Sequence, residues 1–302
     1  MSWKKELFHI LRTPPLLEEP MSRHTSIGIG GPAECLVFPE TCDELRKVLE
    51  LVKQFSLPFF VLGAGTNLLV RDGGIRGIVL SLSSLCSGYQ FSGRTVYAGA
   101  AVPLPVLVRK SIERNLQGLE FAAGIPGSIG GALYMNAGAY GSSIGELVLQ
   151  VETMDYSGNL KVRTRKELDF SYRWSTFQQE KIIILGGLFQ LSPGNGAELK
   201  ELVRKNQRER RSKQPLLPSA GSIFRNPPGM AAGKIIENMG VKGLMAGGAM
   251  VSPEHANFIV NVKNATASDV LSLIEVIQKK VRSELKIDLE LEIKIVGENS
   301  RE

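Results

Sequence analysis

The pattern of apolar and polar positions along the chain shows two periods. Apolar residues that recur every three or four positions, such as Leu45, Val48, Leu49 and Val52, indicate an amphipathic helix. This spacing predicts helices over residues 2–12, 42–55, 104–115, 197–212, 231–239 and 267–285. Short apolar or alternating runs predict strands over residues 58–62, 68–70, 77–82, 94–98, 147–155, 160–164, 181–191, 257–262 and 289–296. Helices and strands do not alternate strictly, so the pattern favours an α+β fold.

Two of the predicted helices begin at a capping box. Thr41 is followed three residues later by Glu44, and Thr266 is followed three residues later by Asp269. Side chains at this spacing can satisfy the free N–H groups of a first helical turn. Residues 193–196, Pro-Gly-Asn-Gly, interrupt the pattern of predicted helices and strands. They are the candidate linker before a last segment with a different sequence pattern. We therefore predict three lobes over residues 1–82, 83–196 and 197–302.

Composition places the chain among ordinary globular proteins, with one exception. Of 302 residues, 43% are hydrophobic and 22% charged, but glycine is frequent at 32 residues. The net charge is +6, and residues 200–213 hold seven basic and two acidic side chains, or +5 in 14 positions. A nucleic-acid-binding surface spreads its charge more widely, so a local anion site or a solvated helix face fits better.

The cysteines and the apolar runs bear on the cellular location of the protein. Cys35, Cys42 and Cys86 form an odd set without metal-binding spacing, which suits reduced thiols in the cytosol. The apolar stretch at residues 7–11 is interrupted by His9 and is too short for a signal peptide. No run of about 18 apolar residues predicts a membrane span. We expect a cytoplasmic monomer that binds no nucleic acid and does not span a membrane.

The first glycine-rich loop follows the predicted strand 58–62 and reads LGAGTNLLV. It begins like a dinucleotide-binding fingerprint, but Leu68 stands where the third glycine belongs, and a strand follows where a Rossmann fold needs a helix. Gly63 and Gly65 can still bring main-chain N–H groups close to an anion. A plain tight turn fits these residues as well.

The second glycine-rich segment, GIPGSIGGALYMNAGAYG, covers residues 124–141 and holds six glycines. Each costs about 0.5–1 kcal/mol relative to alanine in regular structure. Apolar residues are interleaved with the glycines, which speaks against a flexible linker. A main chain pressed against a large flat or phosphorylated ligand would explain the composition. No Gly-Lys-Ser/Thr follows either loop, so neither is a Walker A motif.

These two segments resemble the flavin-binding half of the UDP-N-acetylenolpyruvoylglucosamine reductase (MurB) family. HTSIGIGGPA at residues 24–33, SYRWS at 171–175, AGSIFRNPPG at 220–229 and LELEIKIVG at 289–297 are also similar to that family, in the same order. The resemblance implies a two-lobed FAD-binding module of the vanillyl-alcohol-oxidase type and a C-terminal α+β substrate domain. It also implies noncovalent FAD, NADPH as the reductant and UDP-N-acetylglucosamine enolpyruvate as the substrate. The short stretch before Ser222 resembles the subclass without a tyrosine-bearing lid.

The resemblance assigns cofactor contacts to both glycine-rich segments. In the first, they are Leu62, Gly63, Ala64, Gly65, Thr66, Asn67 and Leu68. In the second, they are Gly124, Ile125, Pro126, Gly127, Ser128, Gly130, Gly131, Ala132, Asn136, Gly138 and Ala139.

Three residues carry the chemistry that the resemblance implies. Arg173 would stabilise the enolate form of the substrate, since a guanidinium holds a carboxylate with two parallel hydrogen bonds. Ser222 would protonate the enolate carbon, and Glu292 would orient Ser222 or stabilise the protonated intermediate. From the residues alone, Arg173 also fits a surface ion pair, Ser222 a turn serine and Glu292 a solvent-facing charge.

Further positions match substrate contacts of the family. These are Tyr172, Lys213, Asn226 and His255. His255 stands where many relatives have an amide side chain, so a buried structural histidine fits equally well.

Two other functions fit parts of the sequence. A flavin oxidase could share the cofactor fold, although no histidine or cysteine in the glycine-rich segments could attach a flavin covalently. An RNA-binding module could be built on the basic residues 200–213 and would leave the glycine-rich segments unexplained.

Overall fold

The computed structural model describes residues 2–300 of the chain. Its seven α-helices in that range are α1 (Trp3–Ile10), α2 (Cys42–Gln54), α3 (Leu104–Ile112), α4 (Ile129–Met135), α5 (Gly196–Lys213), α6 (Ala232–Asn238) and α7 (Ala267–Leu285). Short 3₁₀ turns connect several of the elements.

The strands vary from two to nine residues. In chain order they are β1 (Leu16–Pro20), β2 (Pro32–Val37), β3 (Phe59–Leu62), β4 (Leu68–Val70), β5 (Ile75–Ser81), β6 (Tyr89–Ser92), β7 (Thr95–Gly99), β8 (Leu116–Gln117), β9 (Gly138–Ala139), β10 (Ser142–Ser143), β11 (Val148–Asp155), β12 (Leu160–Thr164), β13 (Phe170–Ser171), β14 (Trp174–Ser175), β15 (Ile182–Gln190), β16 (Ser192–Pro193), β17 (Ser219–Ser222), β18 (Met245–Ala246), β19 (Ala249–Val251), β20 (Phe258–Asn261) and β21 (Lys294–Val296).

The chain forms two compact units, each built from separate stretches of sequence. The first unit contains the residues up to 17, 35–64 and 77–209. The second contains 18–34, 65–76 and the residues from 210 onward. The first glycine-rich loop therefore divides after Ala64, and its Gly65–Leu68 part belongs to the second unit. The three-lobe division at residues 82 and 196 stays a prediction.

A five-stranded antiparallel sheet organises the first unit. Its order is β12-β11-β15-β7-β6, with the central strand β15 paired to β11 and β7. Gly187 on β15 lies under α4, where an added Cβ would come within 3.2 Å of Leu133. The missing side chain lets this glycine-rich helix pack directly on the sheet. Leu133, Val151 and Phe189 are fully buried in the core between the helix and the strands.

The second unit has its own sheet and core. Four antiparallel strands lie in the order β17-β20-β19-β18, and β21 pairs in parallel with β4. Helix α7 contributes buried residues every three or four positions, including Val270, Leu273, Ile277 and Val281. This period matches the amphipathic pattern in the sequence, so the apolar face of α7 is the face that packs on the core.

The structure confirms most of the predicted elements. Helix α7 has the expected capping box, because Thr266 Oγ1 accepts from the N–H of Asp269 and the Asp269 carboxylate accepts from the N–H of Thr266. At α2 only half of the box forms: Thr41 Oγ1 accepts from Glu44 N, while the Glu44 carboxylate accepts from Glu40 N at 2.8 Å.

Two expectations differ from the structure. The prediction of one strand over residues 289–296 is wrong, because only Lys294–Val296 forms β21, while Leu291 makes an isolated bridge to Phe224. The glycine-rich residues 124–141 contain a helix, α4, that the apolar spacing does not predict. The difference at residues 289–296 arises because these residues pair with partners that are distant in sequence.

The start of α7 also depends on a side chain from a distant loop. Asp72 accepts hydrogen bonds from Ala267 N at 2.7 Å, Ser268 N at 2.9 Å and Ser268 Oγ at 2.6 Å. We predict that Asp72→Ala lowers the free energy of unfolding by about 1–2 kcal/mol, the usual cost of losing a helix cap. Urea unfolding followed by far-ultraviolet circular dichroism measures this change.

A matched control for Asp72 is Asp288→Ala. Asp288 pairs with Arg282 at 3.2 Å, and both side chains are exposed. An exposed ion pair contributes little, so this variant should change the free energy of unfolding by less than about 1 kcal/mol. Equal losses for the two variants would contradict the capping role of Asp72.

Candidate functional site

The two glycine-rich segments meet inside the first unit. A Cβ added to Gly63 would lie 3.3 Å from Ser128 Oγ and 4.0 Å from Gly131 Cα. A Cβ added to Gly131 would contact Ser128 Oγ at 3.5 Å and no other residue's atoms within 4 Å beyond its own helix and neighbours. The packing of the protein therefore leaves room for a side chain at Gly131, although glycine has none. A ligand that lies against the main chain is a physical reason for this glycine.

Helix α4 is fixed at both ends by side chains of the same segment. Ser128 Oγ accepts from Gly131 N at 3.3 Å at the start of the helix. Asn136 ends it in the left-handed conformation, with φ of 45°. The Asn136 amide is buried, donates to Ser171 O at 2.7 Å and accepts from Gly145 N at 3.0 Å. The second glycine segment is thus held rigidly against its neighbours by Ser128 and Asn136.

Other predicted cofactor glycines are explained by packing within the protein. Gly65 has φ of 64°, and a Cβ there would lie 1.9 Å from His24 O in the second unit. At Gly130, a Cβ would lie 2.9 Å from Ala100 Cβ in the first unit. These glycines allow close chain contacts whether or not a ligand is bound.

Arg173 lies at the turn of the β13–β14 hairpin in the first unit. Its φ of 54° is unusual for a residue with a side chain. Its Nη1 donates to Gly138 O at 2.9 Å, and its guanidinium lies 5.2 Å from the ring centre of Tyr172. Gln178 Nε2 donates to Arg173 O at 3.1 Å. The hairpin therefore holds a half-buried cation beside the second glycine segment.

Three separate sequence motifs meet in the second unit around Glu292. Glu292 N donates to the carbonyl oxygen of Ile223 at 2.8 Å. Ile223 is the residue that follows Ser222 in the sequence. Asn67 of the first glycine-rich loop donates from Nδ2 to Glu292 O at 3.0 Å. Asn67 O in turn accepts from Lys294 N at 2.9 Å. The second half of the glycine-rich loop, the serine motif and the C-terminal motif are thus neighbours in space.

The local conformation around Ser222 is set by a bulge. The β17–β20 register shifts between Ser219 and Ser222, and Gly221 has φ of 81°. A β-bulge bends its strand and redirects the next side chain. Ser222 and Glu292 are both half-buried, in contrast to Glu290, which is exposed. Glu292 therefore does not have the fully solvent-facing position that strand alternation alone suggests.

The predicted substrate contacts lie in different surroundings. Tyr172 is 52% exposed at the hairpin of the first unit, and Lys213 ends α5 as an exposed cation of the second unit. In the second unit, Asn226 is exposed and its Oδ1 accepts from Ala232 N at 2.9 Å, so it also fixes the start of α6.

His255 lies half-buried in the second unit and contacts protein atoms on several sides. Its ring packs edge-on against Phe258, and a Cβ on Gly233 would lie 2.8 Å from its Cε1. Its Nδ1 accepts from Asn257 N at 3.2 Å, which leaves the ring proton on Nε2. Burial lowers the pKa of His255, so the imidazole is neutral at neutral pH. These contacts match the structural alternative.

Lys294 is the cation nearest in sequence to Glu292. Burial lowers the pKa of its ammonium group, and the positive charge of Arg225 lowers it further. A titratable group whose pKa is shifted by burial and by a neighbouring charge is a candidate for a functional site.

The sequence motifs do not identify Asn257 as a functional residue. Its buried amide holds both main-chain polar groups of Phe224. No local pattern marks such an amide, because its partner is 33 residues away along the chain.

Comparisons with known proteins match both units. The family model "FAD binding domain" matches residues 33–164, and the model "UDP-N-acetylenolpyruvoylglucosamine reductase, C-terminal domain" matches residues 212–296. A UDP-N-acetylenolpyruvoylglucosamine reductase from Caldanaerobacter subterraneus subsp. tengcongensis is 47% identical over 283 residues, which are 93% of this chain and 93% of that protein.

Solved structures agree with the sequence matches. The crystal structure of UDP-N-acetylenolpyruvylglucosamine reductase (MurB) from Thermus caldophilus superposes with a TM-score of 0.81 at 36% identity, covering 94% of this chain and 99% of that one. A BBE-like 1 variant from Physcomitrella patens has a TM-score of 0.50 at 15% identity over 64% of this chain and 45% of its own. At that identity the second match shows the fold alone.

The FAD-binding domain and the paired glycine-rich segments define a flavin-dependent oxidoreductase with a separate C-terminal α+β domain. The expected α+β fold and the expected FAD are thereby confirmed. The chain belongs to the UDP-N-acetylenolpyruvoylglucosamine reductase (MurB) family.

The residues present fit the cofactor. The bare main chain at Gly63 and Gly131 offers a surface that a flat or phosphorylated ligand can approach closely. Among the described residues, no group of three or more His, Cys, Asp or Glu side chains is arranged to hold a metal ion. Within residues 2–300, no helix combines the length and apolarity needed to cross a bilayer.

Gly131 offers a test in which stability and cofactor affinity change differently. We predict that Gly131→Ala weakens FAD binding at least about tenfold, because a methyl group would separate the ligand from the main chain. The substitution should not lower the thermal stability of the apoprotein, because alanine is the better helix former by about 1 kcal/mol. Flavin fluorescence titration and calorimetry of the apoprotein measure the two effects.

Gly88→Ala is the matched control for Gly131→Ala. Gly88 also lies in the first unit and has no heavy atom within 4 Å of an added Cβ. This variant should bind FAD like the unchanged protein. Normal FAD affinity in Gly131→Ala would show that the bare face of α4 does not contact the cofactor.

Proposed function

We propose that this protein is an NADPH-dependent flavoenzyme that reduces the enolpyruvyl group of UDP-N-acetylglucosamine enolpyruvate to the lactyl ether. The product would be UDP-N-acetylmuramate, a precursor of peptidoglycan. The observation that carries the proposal is the meeting of Ser222, Glu292 and Asn67 within one unit of a MurB family member. FAD supplies the hydride when it is bound and reduced.

The substrate chemistry explains why these side chains are needed. The enolpyruvyl double bond is conjugated with a carboxylate, so addition of hydride to the terminal carbon places negative charge on the ether-bearing carbon and the carboxylate. A positioned cation and a proton donor then complete the reduction. The C–H bond at the ether-bearing carbon forms with the proton that the serine hydroxyl releases.

Arg173 is the cation that we assign to the developing enolate. Its main chain is fixed by Gln178, and one guanidinium nitrogen donates to Gly138 O. A guanidinium remains charged at all physiological pH values, and its planar fork matches the geometry of a carboxylate. A fixed cation requires little reorganisation when negative charge develops.

Ser222 is the proton donor in this proposal, and Glu292 is its neighbour in the main-chain ladder. A serine hydroxyl is a weak acid, so it can protonate only a strongly basic carbon and only when its orientation is correct. The bulge at Gly221 and the hydrogen bond from Glu292 N to Ile223 O fix the main chain on both sides of Ser222. The half-buried Glu292 carboxylate orients the hydroxyl or stabilises the protonated intermediate.

The remaining assignments concern substrate and reductant binding. The proposed contacts of the sugar nucleotide are Tyr172, Lys213, Asn226 and His255, and we assign Lys213 to neutralise the diphosphate. FAD is held without a covalent bond. The protein acts in the cytoplasm as a monomer.

The role of Ser222 is tested by following the two half-reactions separately. We predict that Ser222→Ala is reduced by NADPH at the unchanged rate, because the serine takes no part in that step. Reoxidation by the enolpyruvyl sugar nucleotide should slow by about 10²–10⁴-fold, the usual contribution of a positioned general acid. Anaerobic stopped-flow absorbance of the flavin measures both rates.

The control for this experiment is Ser219→Ala on the same strand, which should leave both half-reactions unchanged. Reoxidation of Ser222→Ala at the rate of the unchanged protein would remove the serine from its proposed role. Rapid oxygen consumption with an alcohol donor, and no reoxidation by the sugar nucleotide, would instead favour the oxidase alternative.

A further inference from the structure

The main-chain ladder beside Ser222 ends one residue after the serine. In the β17–β20 pair, Ser222 lies opposite Phe258, the first residue of β20. The next hydrogen bond, from Ile223 N to Asn257 O, is 2.9 Å long. Beyond it the chain before β20 turns away, because Phe258 N donates to His255 O. Phe224 therefore has no main-chain partner on this side.

The Asn257 side chain replaces the missing strand residue. Its Oδ1 accepts from Phe224 N at 2.9 Å, and its Nδ2 donates to Phe224 O at 2.8 Å. Asn257 is 3% exposed and Phe224 is 1% exposed. Because both groups are buried, loss of the amide would leave the N–H and the C=O of Phe224 without these partners. The amide thus continues the ladder past the end of β20.

The opposite edge of the same segment is held by the C-terminal motif. Glu292 N donates to Ile223 O at 2.8 Å, and Arg225 N donates to Glu290 O at 2.9 Å. Residues 223–225 are therefore clamped between Asn257 on one edge and residues 290–292 on the other. Ser222 is the residue immediately before this clamp, and Gly221 with its positive φ immediately precedes the serine.

We infer that Asn257 is a positioning residue for the protonation step, holding Ser222 and Glu292 in register through the main chain of Ile223 and Phe224. Its side-chain amide hydrogen-bonds both main-chain polar groups of Phe224 and acts on the chemistry through that segment. The inference rests on the proposed role of Ser222 as the proton donor. A displacement of about 1 Å at a reacting group can cost about 10²-fold in rate.

The test compares the half-reactions of the FAD-loaded Asn257→Leu variant, in which a side chain of similar size makes no hydrogen bond. Reduction by NADPH should proceed at the unchanged rate. Reoxidation by UDP-N-acetylglucosamine enolpyruvate should slow by about 10–100-fold at saturation. The substrate concentration that gives half-maximal rate should not change, since Asn257 is not proposed to contact the substrate.

Asn261→Leu, at the last residue of β20, is the matched control. The Asn261 amide also bridges main-chain groups, donating to Ile27 O at 3.1 Å and accepting from Ala265 N at 3.0 Å. Its loss should lower stability without a selective effect on reoxidation. Equal slowing of both half-reactions in Asn257→Leu, or selective slowing of reoxidation in Asn261→Leu as well, would overturn the inference.

The double variant Ser222→Ala with Asn257→Leu shows whether the amide acts through the serine. We expect it to reoxidise no more slowly than Ser222→Ala alone, because coupled residues are not additive. A further slowing in the double variant would contradict the inference. If Asn257→Leu does not fold, Asn257→Ser, which can keep one hydrogen bond, should show a smaller and equally selective loss.

The outcomes separate this inference from the proposed function. Reoxidation of Ser222→Ala at the normal rate would reject the serine as proton donor, independently of the reoxidation rate of Asn257→Leu. A slow Ser222→Ala with a normal Asn257→Leu would reject only the positioning role.

Discussion

The site in the second unit depends on a few main-chain hydrogen bonds around Glu292. Through them, a loop near residue 67, a strand end near residue 222 and the C-terminal segment lie side by side. Main-chain hydrogen bonds have fixed lengths and directions, so they define the register of the side chains that the segments carry. The proposed positions of Ser222 and Glu292 follow from that register.

The same reasoning separates two kinds of glycine in the first half of the chain. At Gly65 and Gly130 a side chain would collide with neighbouring residues, so the fold itself requires glycine. At Gly131 the protein leaves room for a methyl group, and the absence of one needs another cause. We propose close approach of FAD as that cause, because the chain has an FAD-binding domain. A glycine-rich segment is therefore informative about binding only after its packing contacts have been considered.

Local sequence signals predicted the helices that have a capping residue and a regular apolar face. The boundaries of α2 and α7 follow from their capping residues, Thr41 and Thr266, and from a regular apolar face. Strand 289–296 failed as a prediction because its residues turn to different partners, Phe224 for Leu291 and β4 for Lys294–Val296. The amide of Asn257 could not be predicted for the same reason, since only the folded chain brings it to Phe224. Alternation likewise suggested a solvent-facing Glu292, whereas its neighbours on both sides leave it half-buried.

In the function that we propose, this chain accepts hydride from NADPH and delivers it to an enolpyruvyl sugar nucleotide. One anaerobic titration of the purified full-length protein tests it most directly, with the flavin absorbance as the signal. We predict a yellow protein with stoichiometric FAD, whose colour NADPH bleaches and equimolar UDP-N-acetylglucosamine enolpyruvate restores. UDP-N-acetylmuramate should form in the same amount. A bleached protein whose colour returns with oxygen but not with the sugar nucleotide would contradict it.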